Sequence, residues 1–245
     1  MSARSERARA VPVRLGLPAG IAAALFDLDG VLTRTSVLHA AAWKQAFDPV
    51  LDAHGQPPFD AVTDYARHVD GKPREDGVRS LLAARRIALP DDAVRAIAAR
   101  KDQLLERLLR ERPVETYPGS VRYLRAVRDA GLPTAVVSSS KHTQEVLRAT
   151  GLTDLFDVRI DGVIAEQCRL AGKPAPDTYL AAARALAVEP ARAAVFEDAL
   201  AGVEAGRAGQ FGYVVGVDRA GQAAELRRHG ADVVVADLAA LLEGA

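Results

Sequence analysis

Four short segments of this 245-residue chain carry side chains suited to phosphoryl transfer. In the first, residues 27–30, two carboxylates flank one leucine and a glycine follows. The others are the hydroxyl-rich run 138–141 with its terminal lysine, Lys173 between a glycine and a proline, and the adjacent carboxylates Glu197 and Asp198. Carboxylates, hydroxyls and ammonium groups together can hold a cation and contact a phosphoryl group.

The reaction these residues could perform is the attack of a carboxylate on phosphorus. Asp27 would form an aspartyl phosphate, which divides one difficult step into two easier ones. Asp29 would protonate the leaving oxygen and then deprotonate the next acceptor. Lys173 and the hydroxyl of Ser138 would donate hydrogen bonds to the phosphoryl oxygens. For Ser138, capping of a helix is an alternative role, and the two roles are compatible.

A metal ion would make this attack possible, because repulsion between two anions otherwise opposes it. The predicted Mg²⁺ ligands are the carboxylates of Asp27 and Asp198 and the main-chain carbonyl of Asp29. Glu197 is a further candidate, either as a direct ligand or as a group that orients one. The alternative for Glu197 is a carboxylate that only begins a helix.

Strands of a parallel sheet are the elements that would bring these segments together. Short apolar runs alternate along the chain with helix-like stretches such as 121–130 and 179–186, which predicts βαβ units. In such sheets, ligands bind beyond the carboxyl ends of the strands. The expected fold is therefore a doubly wound, Rossmann-like α/β core. The predicted strands are 21–26, 134–137, 158–160, 193–196, 213–217 and 232–235.

An inserted helical cap is predicted between the first two strands. Residues 36–112 contain helical patterns and no convincing strand, and such a stretch is too long for one crossover. The expected division is a flexible arm over residues 1–20, an α/β catalytic core over 21–35 and 113–245, and the cap over 36–112.

Composition limits the classes of partner and location. Lys plus Arg and Asp plus Glu both number 32, so the formal net charge is zero. Without a basic excess, nucleic acid is not expected as a partner. Cys168 is the single cysteine, which is typical of a reducing cytoplasm. Neither a signal peptide nor a run of about 18 apolar residues is present, so no membrane is expected as a partner.

Four motifs together resemble those of the haloacid dehalogenase superfamily. They occur in that superfamily's order and span Phe26 to Gly202, as FDLDG, SSS, GKPAPD and FEDALAG. The resemblance implies a capped α/β fold, Mg²⁺ dependence and Asp27 as the nucleophile. The acid/base Asp29 is typical of the superfamily's phosphotransferases and absent from its dehalogenases.

The cap resembles that of the β-phosphoglucomutases in this superfamily. There, Thr35 would belong to a hinge and His39 would couple cap closure to the position of Asp29. Arg74 would hold the distal phosphate, although such a loop arginine is more often solvated. Salt bridging is the alternative for Lys101, and packing in the cap core is favoured for Trp43. The residues expected at the substrate are His39, Trp43, Gly71, Arg74, Lys101, Ser139, Ser140, Lys141 and His142.

Three positions depart from the β-phosphoglucomutase pattern. Arg34 stands where an acidic residue is usual, Gly77 where serine is common, and His142 where asparagine is. The first departure would change electrostatics at the hinge, and the other two would change contacts to the sugar.

The resemblance implies an isomerase acting on a small phosphorylated sugar. The protein is expected to be a cytoplasmic monomer. The expected reaction converts β-glucose 1-phosphate to glucose 6-phosphate, with β-glucose 1,6-bisphosphate as activator and intermediate. Two alternatives remain open. One is a sugar-phosphate phosphatase on the same scaffold, and the other is a non-catalytic sugar-phosphate binding module.

Overall fold

The computed structural model describes residues 15–243 of the chain. Most of the predicted N-terminal arm, residues 1–14, lies outside the described residues. The remainder of that arm contacts the core, since Leu15 and Leu17 pack against a buried apolar cluster. The carbonyl of Leu15 also accepts a hydrogen bond of 2.8 Å from the hydroxyl of Tyr123. Residues 15–17 at the end of the predicted arm therefore pack against the core through their leucines.

Six parallel strands form one sheet in the order β3-β2-β1-β4-β5-β6. All six predicted strands are present, and the first is two residues shorter at its start than expected. The order places the first strand in the middle of the sheet, with its two neighbours on either side. The strands are β1 Ala23–Phe26, β2 Thr134–Val137, β3 Val158–Ile160, β4 Ala193–Glu197, β5 Tyr213–Val217 and β6 Val233–Val235.

Helices cover both faces of the sheet, so the doubly wound prediction is confirmed. Residues of β1 alternate between two apolar clusters, with Ala24 and Phe26 in one and Ala23 and Leu25 in the other. This alternation follows from the two-residue period of a strand. The core helices are α4 Pro118–Asp129, α5 Thr143–Thr150, α6 Gly162–Gln167, α7 Asp177–Ala185, α8 Leu200–Ala208, α9 Ala223–His229 and α10 Ala240–Glu243.

A helical cap is inserted between β1 and β2, as predicted. Its helices are α1 Thr35–Ala53, a π-helical turn Tyr65–Val69, α2 Arg74–Ala84 and α3 Asp91–Glu111. They enclose their own apolar cluster, whose members run from Leu38 to Leu108. This cluster is largely distinct from those of the sheet, and Leu109 packs against both it and one sheet cluster.

The two segments that connect the cap to the core lie next to each other. The amide of Arg34 donates to the carbonyl of Glu115 at 2.8 Å, and their side chains lie 3.5 Å apart. Thr33 and Thr116 form an isolated antiparallel bridge next to them. Arg34, which replaces the usual acidic residue of the hinge, therefore pairs with Glu115 in the segment that leads from the cap back to the core.

Within residues 15–243, no helix is long and apolar enough to cross a membrane.

Candidate active site

The carboxyl ends of three adjacent strands assemble the centre of the site. Asp27 follows β1, Ser138 follows β2, and Asp198 follows β4. Since parallel strands end at the same edge of a sheet, segments far apart in sequence meet there. The sequence prediction that these residues share one edge of the sheet is confirmed.

Lys173 lies behind the edge and binds two carboxylates. Its Nζ is 2.6 Å from Asp27 Oδ1, 2.5 Å from Glu197 Oε1 and 3.1 Å from the carbonyl of Val137. The side chain is 1% exposed. Burial opposes its charge, but the two carboxylates outweigh burial and raise the pKa of Lys173. These three contacts use all three N–H groups of Lys173, so in this structure the lysine orients Asp27. The sequence predicted instead that it would donate to phosphoryl oxygens.

Glu197 is held by a set of donors within the core. Its Oε1 accepts from Lys173 and, at 2.8 Å, from the hydroxyl of Tyr179. Its Oε2 accepts from the amide of Ala199 at 3.2 Å. Sequence reasoning missed Tyr179, which lies on α7, and burial raises the pKa of its hydroxyl. Both oxygens of Glu197 thus have protein partners.

Three buried carboxylates form a cluster that fits a cation. Oxygens of Asp27, Glu197 and Asp198 lie within 4.8 Å of one another. Burial raises the pKa of both Asp27 and Asp198, and repulsion from neighbouring carboxylates adds to it. Asp198 Oδ1 is buried and has no hydrogen-bond partner among the described residues. An unsatisfied buried oxygen amid repelling anions favours Asp198 over Glu197 as a direct ligand.

Gly30 and Gly202 allow these carboxylates to approach the backbone. A Cβ on Gly30 would lie 1.7 Å from Asp198 Oδ2, and the residue also has a positive φ of 91°. A Cβ on Gly202 would lie 1.8 Å from Glu197 Oε1. The glycines of the first and fourth motifs are therefore required by the position of the carboxylates.

Asp29 is held between the hinge and the core. Its Oδ1 accepts a short hydrogen bond from the hydroxyl of Thr35, and its Oδ2 accepts from the hydroxyl of Ser138 at 3.0 Å. Burial would raise the pKa of Asp29, but His39 and these two hydroxyls outweigh it and lower the pKa. Ser138 thus contacts Asp29, whereas it was predicted to contact phosphate.

His39 and Lys101 connect Asp29 to the cap. His39 Nε2 lies 3.5 Å from Asp29 Oδ1, and Nδ1 lies 3.3 Å from Lys101 Nζ. Burial and the charge of Lys101 lower the pKa of His39 to about 3. A neutral ring can accept from Lys101 at Nδ1 and direct the N–H of Nε2 towards Asp29. Trp43 is 2% exposed and packs in the cap, with Lys101 Nζ 5.1 Å from its ring centre.

The cap and core loops meet across the mouth of the site. The hydroxyl of Ser139 donates to the carbonyl of Gly71 at 2.6 Å. Lys141 Nζ lies 2.6 Å from Glu166, another core residue. Arg74 of the cap forms an ion pair with Asp102, and Asp102 also contacts His142 of the core.

A single cleft contains every residue predicted to contact substrate. Thr35, Ser138 and Lys173 lie behind its walls and contact Asp27 or Asp29, and Glu197 lies behind Lys173. The walls of the cleft include Asp27, Asp29, His39, Trp43, Gly71, Arg74, Lys101, Ser139, Ser140, Lys141, His142 and Asp198.

Tyr65, Asp70 and Asp102 also line this cleft, and sequence reasoning assigned them no role. Burial raises the pKa of Asp70 to about 7, although a hydrogen bond from Tyr65 opposes this. For Asp102, its position next to Lys101 in the sequence was the signal that could have indicated a place in the cleft. Its helix could have been placed beside the cleft, but its partners could not.

Gly77 lies beneath Trp43. A Cβ at Gly77 would be 3.4 Å from Trp43 Cζ2 and from Val69, an ordinary contact distance. The departure from serine therefore affects packing beneath the tryptophan in the cap, whereas an altered contact to the sugar was expected.

Comparison with known proteins agrees with this geometry. The sequence model of the family described as haloacid dehalogenase-like hydrolase matches residues 21–210. The chain belongs to this family. A relative from Mycobacterium tuberculosis named β-phosphoglucomutase is 52% identical, over 93% of this chain and 94% of that protein.

Other members of the haloacid dehalogenase-like family extend the comparison. The crystal structure of β-phosphoglucomutase from Clostridium difficile has a TM-score of 0.75 and 26% identity, over 90% of this chain and 93% of that chain. A validoxylamine A 7'-phosphate phosphatase from Streptomyces hygroscopicus is 32% identical, over 88% of this chain and 93% of that protein. Proteins similar to this chain are thus named both as mutases and as phosphatases.

Proposed function

We propose that this chain is a Mg²⁺-dependent β-phosphoglucomutase that converts β-glucose 1-phosphate to glucose 6-phosphate through β-glucose 1,6-bisphosphate. The observation that carries the proposal is the cleft, where Asp27 and Asp29 of the core face Arg74 and Lys101 of the cap. Cations opposite the nucleophile suit a substrate with phosphate at both ends. The relative from Mycobacterium tuberculosis supports the same reaction.

Asp27 is the proposed nucleophile. Lys173 orients the carboxylate through Oδ1, so one oxygen can attack phosphorus while the other binds the metal. Asp27, Asp198 and the carbonyl of Asp29 would hold Mg²⁺, which when bound would relieve repulsion between the attacking carboxylate and the phosphoryl oxygens. Glu197 orients Lys173 from behind this set.

Asp29 is the proposed acid and base. Its lowered pKa means that it begins ionised at neutral pH. It therefore first takes the proton of the sugar hydroxyl that attacks phosphorylated Asp27, and the phosphorus–oxygen bond to Asp27 breaks. In the second half, Asp27 attacks the other phosphate of the bisphosphate, and Asp29 returns the proton to the leaving sugar oxygen. This order requires a phosphoryl donor to start the cycle.

The cap would favour transfer over hydrolysis by keeping water from the aspartyl phosphate. Its contact with the acid and base runs from Lys101 through His39 to Asp29. Closure of the cap and the position of Asp29 are then linked, so Asp29 reaches its catalytic position when a sugar phosphate fills the cleft.

A sugar-phosphate phosphatase is the second candidate function. The relative from Streptomyces hygroscopicus, named for hydrolysis of a phosphate ester, supports it. The same nucleophile and acid/base would serve, with water as the acceptor of the phosphoryl group.

A paired assay distinguishes the two reactions. Purified protein with Mg²⁺ and β-glucose 1-phosphate is primed with a trace of β-glucose 1,6-bisphosphate, and glucose 6-phosphate and free phosphate are followed together. Glucose 6-phosphate forming much faster than phosphate is expected for the mutase. Dominant phosphate release would support the phosphatase, and no product in either channel would overturn the proposed sugar.

We also propose that the protein is cytoplasmic, which the single cysteine supports because no intrachain disulfide can form, and that it is a monomer. Light scattering of the purified chain at several concentrations would test the monomer.

A further inference from the structure

Asp102 places one carboxylate oxygen between two cationic or donor groups at the mouth of the cleft. Its Oδ1 forms a short ion pair with an Nη of Arg74 and lies 2.9 Å from His142 Nε2. The side chains of Arg74, Asp102 and His142 are 20%, 33% and 17% exposed. Solvent therefore reaches the group only partly, and a ligand can still replace one of its members.

The three residues belong to different elements and to both halves of the molecule. Arg74 is the first residue of α2 and Asp102 lies in α3, so both are in the cap. His142 immediately precedes α5 in the core. The contact between Asp102 and His142 therefore crosses the cleft and ties the cap to the core.

The groups around Asp102 stabilise the ionised form of its carboxylate. Partial burial would raise its pKa, but hydrogen bonds from His142 and Arg74 and the charge of Arg74 hold the pKa well below its usual range. The carboxylate is thus ionised, with both neighbours directed at it.

Guanidinium and imidazole N–H groups are also donors for phosphate oxygens. An anionic oxygen of Asp102 accepts hydrogen bonds from these N–H groups. An oxygen of a distal phosphate would need the same donors. A phosphate that binds Arg74 and His142 must therefore displace Asp102 or remain close to its negative charge.

We propose that Asp102 is a positioning residue whose carboxylate holds Arg74 and His142 and competes with the distal phosphate of the substrate for both donors. This inference rests on the proposed function, which supplies the distal phosphate. The carboxylate weakens binding of every phosphate at Arg74, and ligands with further contacts in the cleft overcome it most readily. Asp102 thereby lowers the affinity of this site for each phosphate by the same factor, and ligands with few other contacts are the first to be lost.

Binding measurements on the full chain test the proposal without turnover. Calorimetric titration with inorganic phosphate and with glucose 6-phosphate, both in Mg²⁺, gives Kd for the wild type and for Asp102→Asn. The matched control is Asp91→Asn, which breaks an ion pair of 2.7 Å with Arg79 between the same two helices, outside the cleft.

Removing the charge of Asp102 is expected to lower Kd for inorganic phosphate about fivefold, as for loss of a competing, partly exposed ion pair. Kd for glucose 6-phosphate bound with its phosphate at Arg74 falls by a similar factor, and Asp91→Asn changes neither. Under steady state, Asp102→Asn lowers KM without raising kcat. A residue that only supported the fold would raise Kd or leave it unchanged.

The outcomes separate this inference from the proposed reaction. Tighter phosphate binding by Asp102→Asn in a chain that lacks mutase activity would support the inference and overturn the reaction. Unchanged or weaker phosphate binding in a chain with normal mutase activity would overturn the inference alone. Asp102→Ala is the second variant, and it must also bind phosphate more tightly than the wild type.

Discussion

The core and the cap each place a buried lysine beside the cleft, in opposite electrostatic surroundings. Lys173 of the core is 1% exposed and Lys101 of the cap is 2% exposed. Lys173 lies between two carboxylates, which raise its pKa. Burial lowers the pKa of Lys101 to about 7, and the nearby charge of Arg74 adds to this. Equal burial thus gives opposite effects on charge.

The difference indicates different tasks for the two halves. In the core, Lys173 is a permanent cation whose donors are all used, so it fixes Asp27. In the cap, Lys101 has only a neutral imidazole as its hydrogen-bonding partner among the described contacts. Its charge is unsatisfied until an anion arrives. A phosphorylated substrate would supply that anion, which is why the cap can respond to substrate and the core does not.

Among substitutions in the core, replacing the nucleophile should cause the largest loss of activity. Asp27→Asn is expected to reduce glucose 6-phosphate formation by at least about 10³-fold, as for loss of a covalent nucleophile. Binding of glucose 6-phosphate, measured by calorimetry, should persist because the cap is intact. Activity that survived this change would support the non-catalytic alternative, with the measured turnover coming from a contaminant.

Removing the core lysine should destabilise the fold. Lys173→Met leaves Asp27 and Glu197 as buried, uncompensated anions, and is expected to lower the free energy of unfolding by about 3–5 kcal/mol. Urea denaturation followed by circular dichroism measures this. Arg110→Met is the matched control, because Arg110 forms an ion pair with Glu106 on the surface of α3, and its loss should change stability by about 0.5 kcal/mol or less. Equal losses for the two variants would refute the core assignment.

Breaking the link from cap to acid/base should reduce turnover. His39→Ala removes the contact between Lys101 and Asp29, and is expected to lower both transfer and hydrolysis about 10- to 100-fold through misplacement of the base. Initial rates in the paired assay provide the measurement. His54→Ala alters an exposed histidine at the end of the same helix and should leave the rates unchanged. Unaltered rates in His39→Ala would exclude the coupling role.

Removing the cap lysine should stabilise the fold, in contrast to the core. Lys101→Met is expected to raise the free energy of unfolding by about 1–2 kcal/mol at pH 6, because an unpaired buried charge is replaced by an apolar group. Its folded pKa of about 7 lies below 10.5, the value of a free lysine. Between these values the unfolded chain binds more protons, so wild-type stability rises with pH.

The advantage of Lys101→Met should therefore shrink as pH rises from about 7 towards 10. Denaturation of the wild type and the variant at pH 6, 8 and 9.5 tests this. A gain in stability that did not depend on pH would mean that packing alone causes it.

The sequence by itself determined the sheet, the cap and the set of residues at the strand ends. Apolar runs and the polar residues that follow them are local signals, and parallel strands bring their carboxyl ends together whatever the details of packing. Asp27, Ser138 and Asp198 could therefore be assigned to one edge. The inserted cap followed from a gap too long for one crossover.

Only the tertiary structure decided which partners these residues choose. Lys173 and Asp27 are 146 positions apart in sequence, and no spacing shows that Glu197 also binds the lysine. Asp102 and His142 are 40 positions apart and meet only because the cap lies against the core. Each such contact depends on which side chains are buried together, since burial makes an unpaired charge costly and so determines its partner.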